Sequence, residues 1–210
     1  MSIIDTTQDL EAFCLKASKY PYVTIDTEFM REKTYYAKLC LIQLAFPEKG
    51  KDSFALIDPL AEKISLQSFF DLLANESVIK VFHSGRQDLE IFFNKTGALP
   101  KPIFDTQIAA MVCGFGDQVA YETLVNQIVE KRIDKSSRFT DWSRRPLTDK
   151  QVDYALSDVT FLRTIYEKLN EELSSSKRLS WVKEEFDILK DPNTYSTDPE
   201  QSWKKIKLRR

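Results

Sequence analysis

Glycine is scarce in this sequence, with only five glycines among 210 residues. Neither of the common glycine-rich patterns that bind phosphate groups, G-x-x-x-x-G-K-S/T and G-x-G-x-x-G, occurs in the chain. This argues against a protein that binds nucleotides through a glycine-rich loop. The length suits one well-buried domain and is short for two complete ones.

The sequence also lacks a disulfide pattern and a membrane-spanning pattern. Its three cysteines are odd in number and contain no C-x-x-C pair, so neither a disulfide framework nor a zinc knuckle is indicated. No apolar run approaches the ~20 residues that cross a bilayer, and acidic residues stand where a signal peptide needs an apolar core. A hydrophobic fraction of 42% with 30% charged residues is typical of a globular protein. We therefore expect a folded protein of the reducing cytoplasm.

The net charge is close to zero, at −2, and offers no overall field that attracts nucleic acid. Two windows are locally basic. Lys131–Arg145 contains six basic and two acidic residues, and Glu200–Arg210 contains five basic and one acidic residue. Such runs are commonly solvated faces, and the alternative is a surface that contacts phosphate groups.

Hydrophobic periodicity indicates an α/β fold in which the strands come first. Three strands, predicted over 22–29, 38–46 and 53–57, form an antiparallel run. Helices near 66–73, 89–93, 106–113 and 121–130 then alternate with short strands at 78–82 and 103–104. A basic loop follows, and Thr148 with Gln151 gives a capping-box signal for a long helix. The pattern predicts a mixed sheet flanked by helices.

The C-terminal residues are predicted to form a helical extension. The α/β domain is expected to comprise residues 1–173, with a joint at Ser174–Ser176 and an amphipathic helix over 179–189. Asp198 and Pro199 resemble the start of a last helix, after which the chain ends. We expect residues 174–210 to be the start of a helical domain whose remainder is missing.

Acidic residues occur in three settings that suit a common site. Asp26 and Glu28 are two positions apart on a strand, so both side chains project from one face. Asp88 stands near the start of a helix. Tyr154 and Asp158 are four residues apart on the long helix and therefore lie on one side of it. Each setting is commonplace by itself, because acids also occupy solvent-facing strands and helix N-termini.

Together, these residues resemble the DEDD superfamily of 3′-5′ exonucleases, and the surrounding sequence is similar to ribonuclease D. The resemblance covers about residues 20–165. Its segments, in order, are Ile25–Phe29, Leu39–Leu44, Phe82–Glu90, Phe104–Gln107 and Asp141–Val159. A sister branch of the superfamily has a histidine five residues before the last aspartate. Residue 153 is an aspartate here, so the sequence resembles the tyrosine branch.

The resemblance implies a ribonuclease H-like fold and two bound divalent cations, Mg²⁺ or Mn²⁺. By position, Asp26 is expected to bridge both ions, Glu28 and Asp158 to bind the ion that carries the attacking water, and Asp88 to hold the second ion through water. Tyr154 is expected to orient the attacking water. Tyrosine has an ordinary pKa near 10 and is a poor base at neutral pH. The implied activity is 3′-5′ exoribonuclease activity that releases 5′-mononucleotides, with tRNA precursors as substrates.

Further residues are candidates for substrate contacts. Aromatic side chains are expected to stack on the terminal bases, and basic ones to contact phosphate groups. The aromatic candidates are Phe29, Tyr35 and Trp142, and the basic ones are Arg144, Arg145 and Lys150. Packed tryptophan and solvated arginine side chains are the alternative. His83 and Gln87 are expected at the rim of the site or in structural roles, and Asp105 supports the site or starts a helix.

Two other functions stay open at this point. A DNA exonuclease or proofreading module uses the same chemistry, and no residue in the sequence excludes deoxyribose. A catalytically inactive nucleic-acid-binding domain is the second alternative, although a binding protein has no need for four clustered acids that repel phosphate. No protein partner is indicated. A chain without the helical domains that usually follow in ribonuclease D is expected to bind RNA more weakly and less selectively.

Overall fold

The computed structural model describes residues 3–48, 50–196 and 199–200. Its centre is a five-stranded mixed sheet with the order β3-β2-β1-β4-β5. The strands are β1 (Tyr22–Met30), β2 (Lys38–Ala45), β3 (Phe54–Ile57), β4 (Ile79–Phe82) and β5 (Ile103–Asp105). Strand β2 is antiparallel to both β1 and β3, whereas β4 and β5 run parallel to β1. The predicted mixed sheet and its antiparallel run of three are confirmed.

Seven α-helices are found in the described residues. They are α1 (Thr7–Ala17), α2 (Gln67–Ala74), α3 (Arg86–Thr96), α4 (Thr106–Val112), α5 (Tyr121–Leu124), α6 (Asp149–Ser175) and α7 (Leu179–Leu189). A π-helical turn at Val125–Val129 continues α5. The sequence pattern did not predict α1, whose Leu10, Cys14 and Ala17 are buried against the sheet. No helix among the described residues has the length and apolarity that a membrane span requires.

The helices form one layer on each face of the sheet. Helices α1, α2 and α3 contribute to a core on one face, together with Val23 and Ile25 of β1. Helices α4 to α7 contribute to the core on the other face. There the hydroxyl of Thr24 donates a hydrogen bond of 2.8 Å to the carbonyl oxygen of Val159 on α6. Strand β1 is therefore covered on both faces, and the polar face predicted from its alternation lies under α6.

The long helix α6 begins as its sequence predicts. Thr148 is the N-cap, and its side chain and that of Gln151 form a reciprocal capping box. The helix continues for 27 residues and buries a stripe that includes Ala155, Val159 and Leu162. This stripe lies against the sheet, so the side chains just beside it project toward the end of β1.

The described part of the C-terminal extension packs on the α/β core. Val182 and Phe186 of α7 belong to the same cluster as Phe104 of β5. Tyr195 is 1% exposed and packs with the core on the opposite face of the sheet. Of the expected helix after Asp198, only Pro199 and Glu200 lie within the described residues. The domain boundary at residue 173 stays a prediction.

Candidate active site

Three carboxylates meet at the carboxyl end of β1. One carboxylate oxygen each of Asp26, Glu28 and Asp158 lies within 4.8 Å of the others. The pleat of β1 directs Asp26 and Glu28 toward the layer that contains α6, and α6 supplies Asp158. The sequence prediction that these residues share a site agrees with this geometry.

The strand pairing changes just after the two acids. Glu28 is paired with Leu41, but Phe29 is paired with Leu39, so Cys40 has no partner in the register. Such a bulge bends a strand and changes the direction of its side chains, and bulges are frequent beside active sites. Here the bulge follows Glu28 directly, and the two strands remain paired at Phe29 and Met30.

The fourth acid, Asp88, reaches the cluster from the opposite face of the sheet. It lies in the first turn of α3 and is 7% exposed. The hydroxyl of Thr27 donates a hydrogen bond to Asp88 Oδ1. Because Thr27 stands between Asp26 and Glu28 on β1, this bond holds Asp88 at the end of the same strand. Four carboxylates from β1, α3 and α6 are thus brought together.

A tight turn between β4 and α3 sets the position of Asp88. The Asp105 carboxylate accepts hydrogen bonds from the backbone N–H groups of Ser84 at 3.1 Å and Gly85 at 2.8 Å. Ser84 has a φ of 56°, in the left-handed region. A Cβ atom on Gly85 would lie 2.5 Å from Cβ of Phe82, so only glycine fits there. Asp105 also caps α4, as its sequence position suggested.

The electrostatics of the cluster favour bound cations. Burial raises the pKa of each of the four carboxyl groups above its ordinary value. Repulsion from Asp158 further raises the pKa of Asp26, and repulsion from the other three acids further raises that of Glu28. A divalent cation removes this repulsion, and Mg²⁺ and Mn²⁺ prefer oxygen ligands of this kind. The donor set therefore fits a divalent-metal site.

Tyr154 stands one helical turn before Asp158 and lines the same cavity. Burial raises the pKa of its hydroxyl further above its ordinary value, and the charge of Asp158 adds to this effect. The phenol therefore stays protonated at neutral pH and can donate or accept a hydrogen bond. Its ring packs at 6.1 Å from that of Trp142.

The acids form the floor of a cavity of about 590 Å³. Of the predicted substrate contacts, Phe29, His83 and Gln87 line it. His83 Nδ1 lies 3.0 Å from the hydroxyl of Thr106, and burial lowers the pKa of the imidazole. This partner favours the structural role that the sequence analysis allowed for His83.

Two predicted substrate contacts are wrong because their side chains are used in the fold. Trp142 is 2% exposed and belongs to an apolar cluster with Leu41 and Leu56, so its ring presents no face to a base. Arg145 directs its N–H groups to Asp58 and to backbone carbonyl oxygens, and no donor remains for a phosphate group. Tyr35, Arg144 and Lys150 lie outside the residues that line the cavity.

Other members of the basic loop lie at the mouth of the cavity instead. Lys135, Arg138 and Phe139 line it, and the Phe139 side chain is 90% exposed. The Arg138 guanidinium lies 5.1 Å from the centre of the Phe139 ring. Its charge lowers the pKa of Glu28 and of Asp158, which places it within electrostatic reach of the cluster. The basic composition of Lys131–Arg145 indicated that this loop could contact phosphate groups, but it did not show which of its residues line the cavity.

Tyr121 is a further cavity residue that the sequence analysis missed. Its hydroxyl lies within hydrogen-bond distance of two backbone carbonyl oxygens on α6, that of Asp158 at 2.8 Å and that of Ser157 at 3.1 Å. Its ring lies 5.3 Å from that of His83. Tyr121 therefore ties α5 to the helical turn that carries Asp158.

Comparison with known proteins agrees with this site. A solved structure of Escherichia coli RNase D, an exoribonuclease involved in structured RNA processing, has a TM-score of 0.88 and 36% identity. The comparison covers 97% of this chain and 53% of that one. Brucella melitensis NrnC with bound Mg²⁺ gives a TM-score of 0.72 and 25% identity, covering 92% of each chain.

Sequence relatives lead to the same group. Ribonuclease D of Jannaschia sp. (strain CCS1) is 57% identical over 206 residues, which are 98% of this chain and 53% of the relative. The chain thus spans about half the length of the curated relatives that it matches. The model of the 3′-5′ exonuclease family matches residues 1–174. On this match and on the four clustered carboxylates, the chain belongs to the 3′-5′ exonuclease family.

Proposed function

We propose that this chain is a metal-dependent 3′-5′ exoribonuclease that removes nucleotides from RNA 3′ ends and releases nucleoside 5′-monophosphates. The observation that carries the proposal is the group of four carboxylates at the floor of a cavity whose mouth is basic and aromatic. A catalytically inactive nucleic-acid-binding domain does not require clustered carboxylates in its binding cavity, because buried acids repel phosphate groups.

Two divalent cations, Mg²⁺ or Mn²⁺, are the proposed cofactors. Asp26, Glu28 and Asp158 would hold one ion, and Asp26 with Asp88 the other. When bound, such ions lower the pKa of a water molecule and stabilise the charge that develops during phosphodiester hydrolysis. The solved structure of NrnC contains bound Mg²⁺, which supports this choice of metal.

The chain itself supplies orientation and exclusion of bulk water. The Tyr154 hydroxyl, protonated at neutral pH, would accept or donate the hydrogen bond that positions the attacking water. Thr27 holds Asp88, and Tyr121 holds the backbone of Asp158. These contacts keep the acids in one arrangement, so little reorganisation is needed when substrate binds.

The mouth of the cavity is the proposed site of RNA contact. Lys135 and Arg138 supply positive charge, and the exposed ring of Phe139 supplies a surface on which a base can stack. Lys135 also forms an ion pair with Glu122, which lines the same cavity. The stacking contact suits single-stranded 3′ ends, because the face of a base is free to stack on a side chain only when the nucleotide is unpaired.

RNA is proposed as the substrate class because of the relatives. The Jannaschia protein is named ribonuclease D, and the Escherichia coli protein is described as acting in structured RNA processing. We extend this to the 3′ ends of tRNA precursors and to a cytoplasmic location. The proposed nuclease domain, residues 1–173, coincides closely with the 1–174 of the family match. Residues 174–210 would be a helical extension of it.

The test uses a tRNA precursor with a 3′ overhang and a single-stranded DNA of the same sequence as the overhang. With Mg²⁺ or Mn²⁺, the RNA is expected to shorten from its 3′ end, and Asp26→Asn or chelation is expected to stop the reaction. Activity that persists in Asp26→Asn would contradict the metal site. Faster degradation of the DNA would replace the ribonuclease proposal by that of a DNA exonuclease.

A further inference from the structure

Gln43 on β2 is a fully buried amide, with 0% exposure. In the part of the chain that the structure describes, neither its Nε2 nor its Oε1 has a hydrogen-bond partner. A buried polar group without a partner is destabilising, and native proteins rarely leave an amide in this state. An apolar side chain of the same length would pack there with a smaller loss of folding free energy. The presence of an amide at this position therefore points to a function.

The strand register places Gln43 beside the acidic cluster. Gln43 is paired directly with Asp26 in the antiparallel ladder of β1 and β2. Side chains of directly opposite residues lie on the same face of the sheet, with Cβ atoms about 4.5–5.5 Å apart. Gln43 is also paired with Leu56 of β3, and Leu41 is the next residue on the same face. Leu41 and Leu56 belong to an apolar cluster that includes Ala155 of α6.

Of the two residues that are paired directly with Gln43, Asp26 is the polar one. A primary amide offers two N–H donors, and a carboxylate offers only acceptors, so the pair is complementary. A buried water molecule between the two groups would have the polar partners that such water requires. No charge is added by this arrangement, because the amide is neutral.

We propose that Gln43 is a positioning residue for the metal site, and that its amide donates a hydrogen bond to the Asp26 carboxylate through one buried water molecule. This inference rests on the proposed function, because it concerns the residue expected to bridge both cations. Gln43 fixes the orientation of the carboxylate. Groups that orient metal ligands in this way typically change metal affinity by 10- to 100-fold.

The test compares Gln43→Met with Leu41→Met. The first substitution keeps the length of the side chain and removes the amide, and the second changes a leucine on the same strand face by a similar volume. The measurements are the Mn²⁺ dissociation constant by titration, the denaturation midpoint of the metal-free protein, and kcat and KM on a short RNA. Gln43→Leu is the second variant, in case methionine packs poorly.

We expect Gln43→Met to bind Mn²⁺ at least 10-fold more weakly than wild type, while its metal-free stability is equal or higher. We expect kcat at fixed low Mn²⁺ to fall, KM for RNA to stay unchanged, and Leu41→Met to match wild type. If both Gln43 variants bind Mn²⁺ within twofold of wild type, this inference is overturned and the proposed function is not. The same conclusion follows if Gln43→Met and Leu41→Met lose equal affinity for Mn²⁺. A wild-type protein that does not bind Mn²⁺ would overturn the proposed function and this inference with it.

Discussion

Arg145 donates hydrogen bonds to both carboxylate oxygens of Asp58, from Nε at 2.6 Å and from Nη2 at 2.7 Å. Its other N–H groups bind the carbonyl oxygens of Cys40, Trp142 and Arg144. Arg145 therefore anchors the basic loop to the chain after β3 and to the bulge of β2. This side chain thus helps to hold the loop that places Arg138 and Phe139 at the cavity mouth.

We predict that Arg145→Lys destabilises the protein by about 2 kcal/mol, because lysine cannot replace a planar, bidentate donor and leaves Asp58 poorly paired. Arg144→Lys is the control, since Arg144 is exposed on the same loop. Urea unfolding of both variants checks the prediction. Equal midpoints for the two variants would show that the Arg145 contacts contribute little.

The acidic cluster predicts opposite effects on stability and on metal binding. Asp158→Asn replaces a buried carboxyl group whose ionised form is unfavourable without metal, so the metal-free protein should gain about 1 kcal/mol and melt about 2–4 °C higher. The same variant should lose most of the rise in melting temperature that Mg²⁺ or Mn²⁺ gives the wild type, and it should lose exonuclease activity.

The control for this prediction is Asp153→Asn, which neutralises an exposed aspartate on the same helix. Thermal melts with metal and with chelator measure both variants. We expect Asp153→Asn to keep the metal-dependent rise in melting temperature. A full metal-dependent rise in Asp158→Asn would exclude Asp158 as a ligand.

Phe139→Ala is predicted to weaken RNA binding by about 10-fold, which corresponds to the loss of one base-stacking contact of about 1–3 kcal/mol. Because the ring is 90% exposed, the free energy of unfolding should stay within about 0.5 kcal/mol. Trp181→Ala is a matched control: Trp181 is 64% exposed, also lies beside an arginine, and is outside the cavity. Equal RNA affinities of the two variants would contradict the proposed role of the cavity mouth.

Lys80 gives a pH dependence that is separate from the acidic cluster. Its ammonium group is buried on β4 and donates to the carbonyl oxygens of Asn75 and Lys101, and burial lowers its pKa to about 8. Between this value and the ordinary pKa of 10.5, the unfolded chain binds more protons than the folded one, so stability rises with pH.

We therefore predict that wild type gains stability relative to Lys80→Met as the pH is raised from 8 to 10. The gain should be below about 3 kcal/mol, the limit set by a shift of this size. Unfolding by urea across this pH range measures both proteins. Curves that run parallel would show that the pKa of Lys80 is not lowered in the folded state.

The parts of this fold that follow local rules could be predicted from the sequence. Strand β1 shows alternation, and α6 shows a capping box with a regular apolar stripe, so both were predicted close to their observed limits. Helix α1 was missed, although its N-cap Thr6 and its buried face follow the same rules. The prediction that the four carboxylates share one site came from the resemblance to a known family rather than from hydrophobic periodicity.

Contacts between distant parts of the chain account for what could not be predicted. Arg145 and Arg138 have the same charge and belong to one loop without periodicity, yet of these two it is Arg145 that forms the ion pair with Asp58. Trp142 is buried because α6 and the sheet close over it, which a local pattern does not reveal. The unpartnered amide of Gln43 becomes apparent only when β2 is paired with β1.

The most direct test of the central claim is to identify the first product from a single-stranded RNA labelled at its 3′-terminal nucleotide. With Mg²⁺ or Mn²⁺, we predict that the label is released at once as a nucleoside 5′-monophosphate, and that Asp158→Asn releases none. Release of a nucleoside 3′-phosphate, or of a longer labelled fragment by internal cleavage, would contradict it.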